Sequence, residues 1–144
     1  MTTIAWDGKT VAADSQATTS SGVRCVSAKI VRSPKGFVAA GSGSLNAITP
    51  WLRWVLAGMP PEEQPDALAA NSTLLLVDPR GRAFTFEGSP VRLPLRDKIW
   101  ALGSGADFAL GAMAMGADAR TAVKVACRFD VYSGGRIIAL APGT

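Results

Sequence analysis

Thr2-Thr3-Ile4-Ala5-Trp6-Asp7-Gly8-Lys9-Thr10-Val11-Ala12-Ala13-Asp14 opens the chain, and the reading of the fold starts from it. Two short β-prone runs, residues 2–5 and 10–13, flank an Asp-Gly pair that supplies the positive φ angles of a tight hairpin. Beyond Asp14 the pattern continues. The Thr/Ser/Gly stretch 18–22 reads as a loop and residues 23–26 and 29–32 as strands. Ser33-Pro34-Lys35-Gly36 makes a turn before a further strand at 37–40. The first forty residues are therefore predicted as a β-meander.

Residues 45–57 change period. Leu45, Ile48, Leu52, Val55 and Leu56 are spaced three and four apart, as one helical face requires. Pro50 interrupts that face, so the helix is expected to start near Thr49 with proline in its first turn. Pro60, Pro61 and Pro65 end it, and a short helical piece is expected at 66–70. Residues 73–77 and 83–87 flank Asp78-Pro79-Arg80-Gly81-Arg82 and predict a second hairpin. A strand at 98–102 follows. Helices are expected at 107–115 and 118–129, the latter with Asp118 as N-cap, before a last strand at 136–140. Strands, helix, strands, helices and strand in this order make an α+β domain in layers, with helices covering the outer faces of sheets.

Composition narrows the chemistry. The 144 residues fit one domain, residues 1–144, with 48% hydrophobic and 18% charged residues, a globular balance. The net charge of +4 comes from scattered lysines and arginines, so no nucleic-acid partner is predicted. The longest uncharged run, 36–52, is too short and too polar to span a membrane. The first residues lack a basic segment and a long apolar core, which predicts no signal peptide and a cytoplasmic protein. Cys25 and Cys127 have neither metal-ligand spacing nor a disulfide framework and are expected as reduced, partly buried thiols. The chain has no histidine. Ser-His-Asp and Cys-His triads and histidine zinc sites are thereby excluded, and proton transfer in any enzyme built on this chain needs another group.

Val38-Ala39-Ala40-Gly41-Ser42-Gly43 and Trp100-Ala101-Leu102-Gly103-Ser104-Gly105 both run from strand through Gly-Ser-Gly into helix. Neither is a dinucleotide fingerprint, because Asn46 and Phe108 stand where the third glycine belongs. Such loops can instead aim backbone N–H groups at an anionic centre. Thr2 offers a complementary chemistry. With Met1 trimmed, its hydroxyl is a nucleophile and its own α-amine, with a reference pKa of about 7.7–8.0, is a base that works near neutral pH.

Thr2-Thr3-Ile4, Ala13-Asp14-Ser15-Gln16-Ala17-Thr18 and Ala28-Lys29-Ile30 resemble the opening of proteasome β-type subunits and of the bacterial HslV peptidase, both N-terminal-nucleophile hydrolases. Gly41-Ser42-Gly43, Gly103-Ser104-Gly105 and Asp130-Val131-Tyr132-Ser133-Gly134-Gly135 continue the likeness in the family's order. The resemblance implies a four-layer αββα sandwich, here with a reduced helical layer, because the chain is short for the family. It implies Thr2 as nucleophile, Asp14 orienting Lys29, and Lys29 beside the Thr2 hydroxyl. Ser104, Asp130 and Ser133 are implied as a hydrogen-bond set around the Thr2 amine. Gly43 N–H is implied as oxyanion donor and Leu45 as lining of the substrate pocket. No cofactor or metal is implied. The expected substrate is a peptide or unfolded protein, the expected assembly a homo-oligomeric ring, and the family often pairs such a ring with an ATP-dependent unfoldase. Two alternatives stand beside a threonine peptidase: a catalytically silent scaffold protein that keeps Met1, and an amidase acting on a small molecule.

Overall fold

The computed structural model describes residues 2–143. Three antiparallel sheets and three helices form among the described residues. The first sheet has the order β10-β1-β2-β11, from Trp100–Leu102, Ile4–Trp6, Val11–Ala13 and Ile138–Leu140. The second runs β5-β6-β7-β8-β9, from Ile30–Arg32, Val38–Ser42, Thr73–Val77, Ala83–Glu87 and Leu93–Pro94. β3 (Gln16–Thr18) and β4 (Arg24–Val26) form a separate two-stranded ribbon.

Side chains alternate along each strand, and the two faces of each sheet meet different partners. Ile4, Trp6, Val11 and Ala13 of the first sheet pack against Val38, Ala40, Leu75 and Val77 of the second, which makes the inter-sheet core. The intervening residues point outward. Ala39, Leu74, Leu76 and Phe86 meet Ile48, Trp51, Leu52 and Val55 of α1 (Leu45–Leu56). On the other side, Ala5 and Ala12 meet Ala109 of α2 (Ala106–Ala114) and Ala119, Ala122, Val123 and Ala126 of α3 (Ala119–Phe129). Alanine on both sides of that contact lets the helices lie close to the sheet. The layers are thus α1, five-stranded sheet, four-stranded sheet, and α2 with α3.

Several local expectations match what forms. The 73–77 and 83–87 strands pair about the Asp78–Arg82 turn as read, with Val77 opposite Ala83. Asp118 caps α3, its side chain accepting the Thr121 N–H at 2.8 Å. Others do not. α1 starts at Leu45, not near Thr49, and Pro50 lies inside it. Burial of Ile48, Trp51, Leu52, Trp54 and Val55 on the sheet outweighs the hydrogen bond that proline removes. No helix forms at 66–70; a 3-10 turn stands earlier, at Pro61–Glu63. There the prolines set the chain direction, and Leu68 alone of the later stretch reaches the α1 core. The edge strand Leu93–Pro94 was not anticipated. Cys25 is exposed rather than partly buried, on the solvent-facing ribbon, and both thiols are free. No helix of the described residues is long and apolar enough to cross a membrane.

Candidate active site

The β1–β2 hairpin brings the two ends of its strands together. Ile4 pairs with Ala13, which sets Thr2 and Thr3 beside Asp14. Asp14 N–H donates to the Thr3 carbonyl at 3.2 Å, and Thr3 N–H donates back to Asp14 Oδ1 at 3.0 Å. The same Oδ1 accepts the Thr2 hydroxyl at 2.5 Å and Lys29 Nζ at 2.9 Å. Lys29 comes from the other sheet, one residue before β5, so Asp14 and Lys29 join the two sheets at this end. The remaining oxygen, Asp14 Oδ2, accepts Gly134 N–H at 3.0 Å.

All three polar groups are withdrawn from solvent: Thr2 and Asp14 are 2% exposed and Lys29 is 4% exposed. Burial holds the Lys29 ammonium below the ordinary lysine value, opposed by the hydrogen bond and charge of Asp14. Lys29 was expected beside the Thr2 hydroxyl and oriented by Asp14. Hydroxyl and ammonium both donate to one carboxylate oxygen, Asp14 Oδ1.

A second cluster abuts the first. β10 pairs with β1 and delivers Gly103-Ser104-Gly105 against the chain start. Gly105 N–H and Ser104 Oγ reach the Thr2 carbonyl at 3.2 and 3.3 Å. Ser104 Oγ also donates to Asp130 Oδ2 at 2.6 Å, as does Ser133 Oγ at 2.6 Å. Ser133 Oγ lies 2.7 Å from Thr3 Oγ1, so with its own proton on Asp130 it accepts the Thr3 hydroxyl. The bonds of this set to the first residues therefore run to the Thr2 carbonyl and the Thr3 side chain. Gly103 explains the close approach: its φ is +93°, and a Cβ there would stand 2.1 Å from the Thr2 carbonyl oxygen.

Asp130 gains charge stability from these partners. Burial raises its pKa, but hydrogen bonds from Ser104, Ser133 and Tyr132 N–H outweigh that and hold it below the ordinary carboxylate value. A carboxyl depressed on folding stabilises the native state above its unfolded pKa, and the contribution is lost as pH falls through the folded value. Asp130→Asn should therefore flatten the drop in melting temperature between about pH 5 and about pH 2. Thermal unfolding of both proteins across that range tests it, and parallel curves would refute it.

Gly43 and Leu45 lie across a cleft from Ser104. Ser42, Gly43, Ser44, Thr73 and Ser104 line a space of about 430 Å³, and Leu45 lines an adjoining one of about 610 Å³ with Thr18, Ser20 and Cys25. Gly43 has φ +125°, and a Cβ would meet Ser72 Oγ at 2.4 Å, so only glycine leaves its backbone open to the cleft. A further cavity, about 630 Å³, is at the opposite end of the sheets and has no part in this cluster. Cys127, the thiol nearest the cluster, is pushed up to about 11 by burial and by the Asp14 carboxylate, against the pull of Lys29. It is a neutral thiol at pH 7 and a poor nucleophile.

Three participants escaped sequence reading: the Thr3 hydroxyl and the backbone N–H groups of Gly105 and Gly134. Their residues stand inside the quoted motifs, but a main-chain donor leaves no side-chain signature, and Thr3 beside Thr2 looks like strand propensity alone. The state of Met1, on which the free amine depends, lies outside the described residues.

No family model matches the chain, and a comparison with curated proteins finds no match. Among solved structures, Thiobacillus denitrificans BPH matches with a TM-score of 0.66 and 23% sequence identity, over 96% of this chain and 95% of that one. Thiobacillus denitrificans BPH in complex with Epoxomicin matches with a TM-score of 0.64 and 19% identity, over 99% of each chain. At such identity the likeness speaks for architecture. Over nearly its whole length, the chain has the fold of BPH, a beta-proteasome homolog.

Proposed function

We propose that the chain is a threonine-type peptidase of the N-terminal-nucleophile class, its layers being that class's αββα sandwich with a reduced helical layer. The observation that carries the reading is the single Asp14 oxygen that accepts both the Thr2 hydroxyl and the Lys29 ammonium. An ammonium held there offsets the negative charge that grows on Thr2 Oγ as it attacks. With Met1 removed, Oγ bonds to the substrate carbonyl carbon and its proton passes to the Thr2 α-amine. Gly43 N–H receives the oxyanion. The tetrahedral centre collapses, the α-amine returns the proton to the leaving amine, and an acyl ester on Thr2 remains. Water then attacks that ester and restores the hydroxyl. Ser104, Asp130 and Ser133 fix the chain start, and Leu45 lines the pocket for the substrate side chain.

Uptake of epoxomicin, a peptide-like inhibitor, by BPH supports a peptide or unfolded protein as substrate over a small amide. A homo-oligomeric ring in the cytoplasm, fed by an ATP-dependent unfoldase, belongs to the same reading. Intact mass decides between this enzyme and a silent scaffold. Protein from the native host is expected to have lost Met1 and to gain the mass of one epoxomicin per chain. Full retention of methionine would sink the proposal.

A further inference from the structure

The cavity of about 630 Å³ lies far from Thr2, and strand direction says where. β1 leaves Thr2 and ends at Trp6, while β7 leaves the cleft wall at Thr73 and ends at Val77. The turns that follow, 7–10 and 78–82, therefore meet at the far mouth of the inter-sheet core. With the loop 94–98 they enclose about 630 Å³. The lining is mainly apolar, and it includes Trp6, Pro94 and Leu95, of which Trp6 and Leu95 belong to or pack on the inter-sheet core. The rim carries Lys9, Arg82, Arg96 and Lys98 against Asp7 and Asp97.

Two of the six charges are committed to the fold. Asp7 Oδ1 accepts the N–H groups of Lys9 and Thr10 at 2.9 and 2.8 Å, and its Oδ2 accepts that of Ala119 at 2.8 Å. Arg82 Nε donates to Asp78 Oδ2 at 2.7 Å. Lys9, Arg96 and Lys98 make no ion pair among the described residues, and one uncommitted carboxylate, Asp97, stands among them. Cations in excess around an apolar hollow of this size match the general build of a small-ligand site, apolar walls with a few placed polar groups. They gather at one cavity instead of running along a stripe, which disfavours a nucleic-acid strand.

We infer that this far mouth is a second binding site, for a small organic anion. A flat apolar body rests on Pro94 and Leu95, and a carboxylate, sulfonate or phosphate head lies among Lys9, Arg96 and Lys98. The inference does not depend on the peptidase reading, because it shares no residue with the Thr2 cluster.

The full chain titrated with 2-naphthoate and followed by amide chemical shifts tests it. Saturable shifts are expected at Gly8, Gly81, Phe84 and Leu95, at one molecule per chain, with Gly43 and Ser104 unmoved. The uncharged 2-naphthylmethanol and inorganic phosphate should each bind about tenfold more weakly or worse, a difference of about 1.4 kcal/mol. Arg96→Ala with Lys98→Ala should weaken 2-naphthoate about tenfold, whereas Arg53→Ala with Lys124→Ala, which removes the same charge elsewhere, should change it by less than about twofold. Equal weakening by both double variants would mean diffuse electrostatics and overturn the site. Phosphate binding as tightly as 2-naphthoate would mean an adventitious ion only, and shifts scattered over the surface would equally dismiss the inference.

Discussion

Thr2→Ala should abolish turnover and epoxomicin labelling while leaving a folded protein. The substitution removes one of three donors to Asp14 Oδ1, and Lys29 Nζ and Thr3 N–H remain on that oxygen. The buried ion pair thus survives, and the stability cost is that of one hydrogen bond to a charged group, about 1.5–3 kcal/mol. Activity is another matter. Without the hydroxyl no acyl ester can form, and loss of a nucleophile that acts as a unit with its base costs about 10⁵-fold or more in kcat. Thr2→Ser keeps an oxygen at the same place and should retain measurable turnover. Peptide hydrolysis and intact mass after incubation with epoxomicin give the readout. Labelling that persists in Thr2→Ala would mean that the nucleophile is elsewhere.

The largest effect on stability is expected at Asp14. Its carboxylate accepts four donors: the Thr2 hydroxyl, Thr3 N–H and Lys29 Nζ on one oxygen and Gly134 N–H on the other. Asp14→Ala strips a buried ammonium of its carboxylate, which typically costs about 3–5 kcal/mol. At about 2–4 °C per kcal/mol for a domain of this length, the melting temperature should fall by roughly 10 °C. Asp14→Ala combined with Lys29→Met removes both charges and should recover much of that loss, without recovering turnover. Thermal melts of the single and double variants separate the electrostatic cost from the lost packing. A single variant that melts with the wild type would show that the pair does not hold this end of the fold together.

How much of this was legible in the chain depends on how local the signal is. The Asp78–Arg82 turn, the Asp118 cap and the β1–β2 hairpin are set by a few adjacent residues, and they form where the residues say. Pro50 misled because the rule that places proline in a first turn is local. The burial of Trp51, Trp54 and Val55 against β6 and β7, which overrides it, comes from residues far along the chain. The polar residues of the candidate site, Thr2, Asp14, Lys29, Ser104, Asp130 and Ser133, were legible only through the resemblance to proteasome β-type subunits, and the fold draws them into two touching clusters. What they bond was less readable. Ser133 meets Thr3, and Asp14 itself takes the Thr2 proton donor, because both contacts depend on how two sheet ends abut.

The Asp14–Lys29 pair has one further consequence. Asp14 directly follows a strand of the four-stranded sheet and Lys29 directly precedes one of the five-stranded sheet, with their inter-sheet core filled only when the two dock. A nascent chain that has formed either sheet alone therefore has a threonine but no ammonium beside it. On the proposed function, the nucleophile therefore stays without its ammonium through synthesis and early folding, and gains it in the same event that completes the domain.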